Sequence, residues 1–214
     1  MNPKNNYNLL KRIFPFENCN NLNNLKFDSE GLWSITHPQD ADNISNDIKL
    51  FEKIGIKIDT IYDMTAGIGG NSISFCKYFK KVISSEIDQK RFDILKNNMN
   101  TYNFDNYKIY NDDSISLLLK MNTQIDAVFV DPPWGGPSYK QDKNITITMS
   151  NYKMDEIVKI ISKYEYNNSK IKVISLKLPY NFDFDGFFLE ISSLIKAKNK
   201  INNGNVVYLY LLLI

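Results

Sequence analysis

Apolar residues along the chain fall into short runs whose period changes as the sequence proceeds. TIYDM at 60–64, KVISSEI at 81–87, YKIY at 107–110, IDAVFVD at 125–131 and IKVISLKLP at 171–179 are compact apolar stretches. Runs of this length, rich in β-branched and aromatic residues and closed by polar or turn residues, predict strands. Between them the period lengthens. NSISFCKYFKK, DQKRFDILKNNMNTY, SISLLLKM, YKMDEIVKIISKY and DGFFLEISSLIKAK space their apolar positions helically, with Phe92, Leu95 and Met99 on one face of the second. Strands alternating with helices predict a parallel sheet covered on both faces, with right-handed crossovers. The last run, VVYLYLLLI at 206–214, follows INNGN with little room for a crossover helix, so it is expected to pair antiparallel to a neighbour. Residues 1–30 are Asn-rich with scattered aromatics, Tyr7, Phe14, Phe16 and Phe27, and predict a segment that packs on the body. The expected organisation is an N-terminal extension over 1–50 and one α/β domain over 51–214.

Composition narrows the function classes. The chain has 214 residues, 43% hydrophobic and 23% charged, the make-up of an ordinary globular domain. A net charge of +2 excludes a protein held to nucleic acid by bulk charge alone, while leaving room for a local basic groove. The longest apolar run has nine residues, where a membrane helix needs about 20, so no membrane partner is expected. MNPKNNYNLLKR lacks the apolar core of a secretory signal, and Cys19 and Cys76 read as free thiols. Both point to an intracellular protein. No His/Cys/Asp cluster suggests a metal. His37, the only histidine, precedes Pro38 in a turn and reads as a surface residue.

Four features carry candidate chemistry. The first is Asp63-Met64-Thr65-Ala66-Gly67-Ile68-Gly69-Gly70-Asn71, between a strand and a helix. Glycines there let the backbone approach a ligand, and the helix start offers free N–H groups. Alone, such a loop is as readily a tight turn. The second is Glu86 at the end of the next strand, where an acid can accept both hydroxyls of a ribose. The third is Asp112-Asp113 after the third strand, of which Asp113, directly before SISLLL, is the better placed to receive an adenine amine. The fourth is DPPWGGPSY at 131–139. Proline removes backbone donors and fixes φ, and Gly-Gly opens otherwise forbidden angles, so Trp134 sits on a rigid loop. All four follow the carboxyl ends of successive strands, where open α/β sheets bind ligands.

A glycine loop, a ribose acid, an adenine acid and DPPW, in that order, resemble the class I S-adenosylmethionine-dependent methyltransferases that alkylate an exocyclic amine. PPWGGP with a following Tyr resembles more narrowly the trimethylguanosine synthases, which methylate N2 of a 7-methylguanosine RNA cap. DSEGLWSIT at 28–36, AGIGGN, Asn97-Asn98, Tyr102, and Leu178-Pro179 with Asn181 are similar to segments of that family. The resemblance spans roughly Phe27 to Phe182. It implies a Rossmann-like fold with a seven-stranded, mostly parallel sheet, an antiparallel last strand and a short helical N-terminal extension close to the cofactor site. It implies S-adenosyl-L-methionine as cofactor, leaving as S-adenosyl-L-homocysteine. Asp63, Thr65, Ala66, Gly67, Gly69, Asn71, Glu86 and Asp113 would hold it, with Trp33 and Ser34 beside it. Trp33 reads equally well as an anchor of the N-terminal arm on the body.

The resemblance also implies an acceptor site. Asp131 and the Pro132 carbonyl would orient the amine, and Trp134 would stack on the base. A 7-methylguanine is cationic, and Trp offers the best aromatic face for a cation. Tyr139 and Tyr180 would flank the base, with Asn181 nearby. Two positions depart from the family. Asp131 stands where a Ser is usual, which loosens guanine specificity, and Tyr180 stands where an Arg meets the cap phosphates. Lys177, Lys140 and Lys143 are the candidate replacements for that cation. The expected partner is 7-methylguanosine-capped RNA, and a monomer in the nucleus or cytoplasm, including a viral protein in a host cytoplasm, is the simplest setting. Two other readings stand: an rRNA or DNA guanine-N2 or adenine-N6 methyltransferase, and a non-catalytic cap-binding subunit. Intact Asp63, Glu86 and Asp131 argue against the second.

Overall fold

The computed structural model describes residues 3–214; Met1 and Asn2 of the expected extension lie outside it. The chain divides into two compact units, the first ending at Asp113 and the second running from Ser114 to Ile214.

In the first unit, α1 (Pro3–Ile13), α2 (Ser29–Ser34) and α3 (Pro38–Lys49) precede β1 (Thr60–Asp63), α4 (Gly70–Tyr78), β2 (Lys81–Ser85), α5 (Gln89–Thr101) and β3 (Tyr107–Tyr110). The three strands pair in parallel, Ile61 opposite Val82 and Ile83 opposite Lys108. β1 is buried along its whole length, as its unbroken apolar run requires. The helix starts are written locally. Asp28 caps α2 by accepting from Gly31 N–H at 2.7 Å, and Asp88 caps α5 by accepting from Arg91 N–H at 2.9 Å. Pro38 opens α3, where its missing N–H costs nothing.

The N-terminal arm is fastened by polar side chains more than by its aromatics. Phe14 is buried, but Tyr7 and Phe16 are exposed. Asn98 on α5 is fully buried. Its Nδ2 donates to Lys26 O and Ile68 O, each at 2.9 Å, and its Oδ1 accepts from Lys26 N–H at 2.8 Å. The Tyr102 hydroxyl donates to Pro15 O at 2.6 Å. His37 is exposed on this arm, 3.3 Å from Arg12 O.

The second unit contains α6 (Ser114–Lys120), β4 (Ala127–Val130), a hairpin of β5 (Thr148–Met149) and β6 (Tyr152–Lys153), α7 (Met154–Ser162), and a second hairpin of β7 (Glu165–Tyr166) and β8 (Ser169–Lys170). It continues with β9 (Val173–Pro179), α8 (Phe184–Ile191), β10 (Ile195–Asn203) and β11 (Val206–Leu213). β4 pairs with β9 in parallel, and β11 runs antiparallel to both β9 and β10.

The fold class is mixed α/β with a seven-stranded, mostly parallel sheet and an antiparallel last strand, as expected. The hairpins β5–β6 and β7–β8 are not in the sequence reading, which makes Tyr152–Lys153 helical and misplaces one helix end. IKAKNK, predicted as the tail of a helix, is the start of β10, while α8 ends at Ile191. β10 is almost wholly exposed and lies at the edge of the sheet, so it needs no apolar face. Its ladder comes from β11, reached through a turn at Gly204 with φ +60°. No helix of the described residues is long and apolar enough to cross a membrane.

Candidate active site

The glycine loop of the first unit is built from inside. Asp63 ends β1 with no exposed surface; its Oδ2 accepts from Ser72 Oγ at 2.6 Å and its Oδ1 from Thr65 N–H at 3.2 Å. Asp63 therefore shapes the expected cofactor loop by holding its two ends. Ala66 N–H donates to Ser85 O at 3.0 Å, and Gly69 N–H to Ala66 O at 2.9 Å. Gly67 has φ +55° and Gly69 φ +106°, angles that disfavour a side chain. A Cβ on Gly67 would meet nothing within 4 Å, so one wall of the loop is open.

Glu86 lies beneath that loop, largely buried. Its Oε2 accepts from Gly67 N–H at 3.0 Å, and its Oε1 from Asp88 N–H at 2.9 Å and Arg91 Nε at 3.4 Å. Arg91 also pairs with Glu30 of α2, so one guanidinium ties the arm to the strand-end acid. Asn71 is buried; its Nδ2 donates to Thr36 Oγ1 at 3.0 Å while its Oδ1 has no partner. Asp113 is half-buried, and its N–H donates to Asp112 Oδ1 at 2.8 Å. A glycine loop open on one side, above a strand-end acid, fits a nucleoside-bearing cofactor such as S-adenosyl-L-methionine.

The arm reaches this loop through glycines. A Cβ on Gly31 would lie 2.7 Å from Ile68 Cγ2, and one on Gly70 would lie 2.7 Å from Ile35 Cγ1 and 3.0 Å from Thr36 O. Trp33, two residues on, is 88% exposed, which removes the reading in which it anchors the arm. Ser34 is exposed beside it, its Oγ donating to Glu30 O at 3.0 Å. Gly70→Ala is expected to destabilise the fold by about 1–3 kcal/mol through overpacking. Scanning calorimetry would read this as a fall in Tm of about 2–4 °C per kcal/mol.

In the second unit β4 delivers Asp131 to the DPPWGGPSY loop. Asp131 Oδ2 lies 2.7 Å from Lys177 Nζ, on the neighbouring β9, where Val130 faces Leu176. Burial pushes the Asp131 carboxyl above the ordinary carboxylate range, and the Lys177 charge only partly pulls it back. Lys177 is itself 9% exposed. The structure thus gives this lysine to Asp131, which corrects the expectation that it meets cap phosphates; a buried ammonium is most stable beside a carboxylate. Lys140 and Lys143 are exposed.

Trp134 is half-buried and stands edge-to-face with Tyr139, centroids 5.3 Å apart at 80°. Its Nε1 is buried without a partner. Lys177 Nζ lies 5.8 Å from the indole centroid. Gly135 and Gly136 take φ +86° and +75°, the freedom the loop needs to turn after the indole. Burial raises the Tyr139 hydroxyl, with Tyr180 adding to it. Asn181 pins the far side of the loop, its Nδ2 donating to Tyr139 O and Asp142 O at 2.7 Å each. Pro132 is buried and Tyr180 is 46% exposed.

Sequence reasoning did not find the Asp131–Lys177 pair, the Arg91 tie or the Asn98 clamp. One signal was available: Lys177 interrupts IKVISLKLP, and a lysine inside a buried strand calls for a nearby acid.

Comparison with known proteins adds to this geometry. A family model described as RNA cap guanine-N2 methyltransferase matches residues 58–211. A protein of Acanthamoeba polyphaga mimivirus is 33% identical over 94% of this chain and 85% of its own length. The trimethylguanosine synthase of Schizosaccharomyces pombe is 30% identical over 85% of this chain and 86% of its own. Among solved structures, a precorrin-6y C5,15-methyltransferase from Geobacter metallireducens superposes with a TM-score of 0.60 at 14% identity, covering 93% of this chain and 98% of that one. A putative RNA methyltransferase from Pyrococcus horikoshii gives 0.56 at 18% identity, covering 99% and 98%. These two likenesses are of fold.

Proposed function

Because this chain belongs to the RNA cap guanine-N2 methyltransferase family, we propose that it transfers a methyl group to the N2 amine of a 7-methylguanosine cap. S-adenosyl-L-methionine, when bound, supplies an electrophilic methyl on a sulfonium. Gly67, Gly69, Ala66 and Thr65 bring backbone close to that cofactor, Glu86 takes its ribose, Asp113 its adenine amine, and Asn71 offers the unused Oδ1. Trp33 and Ser34 border it from α2.

The acceptor base stacks on Trp134, with Tyr139 holding the indole upright and Tyr180 beside it. An amine conjugated to a purine is a poor nucleophile. Asp131 and the Pro132 carbonyl accept hydrogen bonds from it and raise electron density on nitrogen, and the released proton leaves to water or Asp131. The enzyme's share is positioning and electrostatics. The observation that carries this reading is a half-buried carboxylate, tied to Lys177 at 2.7 Å, at the foot of the loop that presents Trp134.

The test is transfer of labelled methyl to m7GTP, with GTP as control. Labelling of m7GTP and not of GTP is the expected result, and equal labelling would overturn the cap reading. Mass spectrometry of the product counts the methyls added. A second reading, an exocyclic amine of rRNA or DNA, is favoured by one observation. The family's usual Ser is replaced by Asp131, whose carboxylate serves an uncharged base equally well. Labelling of rRNA or DNA without m7GTP would establish it.

A further inference from the structure

β10 has no role in the chemistry above, yet its surface is unusual. IKAKNKINN carries Lys196, Lys198 and Lys200 and no acid, and the strand is exposed from Lys196 to Lys200 at the sheet edge. Lys198 pairs with Leu211 and Lys200 with Leu209, so both stand on one face, about 6.8 Å apart along the strand. Lys196 sits at the register shift between Ile195 and Ala197.

Neither same-face lysine swings freely. Lys198 Nζ lies 3.3 Å from the Phe188 ring centroid and Lys200 Nζ 3.6 Å from that of Phe184, both on α8. The rings hold the two ammonium groups in place, while both residues stay exposed to solvent. No ion pair engages Lys196, Lys198 or Lys200 among the described residues.

The strand also points to the right place. Val206 faces both Asn203 of β10 and Pro179 of β9, so the end of β10 lies beside Tyr180. Tyr180 N–H donates to Asn205 O at 3.1 Å, and Asn181 holds the loop of Trp134 and Tyr139. A path therefore runs from Trp134 past the exposed Tyr180 to Lys200, Lys198 and Lys196. Edge lysines also hinder sheet-to-sheet pairing, but that role needs neither a ring-fixed orientation nor this direction.

We propose that β10 is the binding track for the single-stranded RNA that follows the cap, Tyr180 meeting the first nucleotides and Lys200, Lys198 and Lys196 successive phosphates. The proposal rests on the cap reading for its direction, and on charge complementarity for its partner. A row of lysines spaced two residues apart on an exposed strand suits an extended polyanion.

The test measures two quantities on the purified 214-residue chain. Fluorescence anisotropy with an uncapped, labelled 12-nucleotide RNA over a salt series reads the track alone. Methylation kinetics on m7GTP and on the same RNA carrying a 7-methylguanosine cap read its use in the reaction. Lys196→Gln/Lys198→Gln/Lys200→Gln is expected to lower RNA affinity at least tenfold. It is expected to reduce the slope of log K against log salt by about 2, since each phosphate contact on a single strand contributes about 0.7. KM for capped RNA should rise in parallel while the kinetics on m7GTP stay unchanged. Lys198→Arg/Lys200→Arg should keep binding, and Lys196→Gln, which touches no ring partner, covers the case in which the triple variant fails to fold. Wild-type affinity and salt slope in the folded Gln variants would overturn the proposal. Failure of the cap reading appears separately, as absence of methylation on m7GTP with salt-dependent RNA binding intact.

Discussion

Asp131→Ala is expected to lower kcat on m7GTP by about 10²–10⁴-fold, the range for removing a proton acceptor from a reacting centre. The structural cost is separate. Lys177 is buried and loses its partner at 2.7 Å, and breaking a buried pair on one side costs about 3–5 kcal/mol. Asp131→Asn separates the two effects. It keeps an oxygen toward Lys177 and an acceptor for the amine, so it should retain more stability and part of the rate.

The pH profile supplies the sign. Asp131 works as the carboxylate, and burial raises its pKa. Activity should therefore fall as pH drops through a value above the ordinary carboxylate range. Lys177→Met removes the charge that opposes burial, so this acid limb should move to higher pH, whereas Asp131→Asn should abolish it. Steady-state kcat from about pH 4 to 9 checks all three. An acid limb at the same pH in wild type and Lys177→Met would show that Asp131 is not the titrating group.

Trp134→Ala is expected to have the next largest effect. Stacking contributes about 1–3 kcal/mol per base, and a cationic ring over indole adds about 0.5–2 kcal/mol. At about 1.4 kcal/mol per tenfold, kcat/KM for m7GTP should fall about ten- to several-thousand-fold, chiefly through KM. The ratio of m7GTP to GTP turnover should shrink with it, because the charge term belongs to the methylated base alone. Trp134→Phe keeps a ring with a weaker face and should fall between. The indole Nε1 has no hydrogen bond to lose, so the stability change should come from its contacts with the Tyr139 ring and the Lys177 ammonium. Full activity in Trp134→Ala would remove the stacking role.

The sequence by itself determined the alternation of β1–β4 and β9 with their helices, the last strand β11, the glycine loop after β1, the strand-end Glu86 and the rigid DPPWGGPSY loop. These are local signals: periodicity, proline and glycine geometry, and caps such as Asp28 and Asp88 act within a few residues. Only the tertiary structure decided which groups those residues meet. Asp131 and Lys177 are 46 residues apart and become partners because β4 and β9 pair side by side. Asn98 becomes a clamp because Lys26 and Ile68 converge on it. Trp33 is exposed although its neighbour Gly31 is packed tightly, a contrast that residue type alone does not encode. IKAKNK became an edge strand because β11 offered it a ladder, and a stretch without an apolar face takes its structure from its neighbour. Such choices depend on long-range pairing and on the cost of leaving buried charge unpaired, neither of which is written in a short window of sequence.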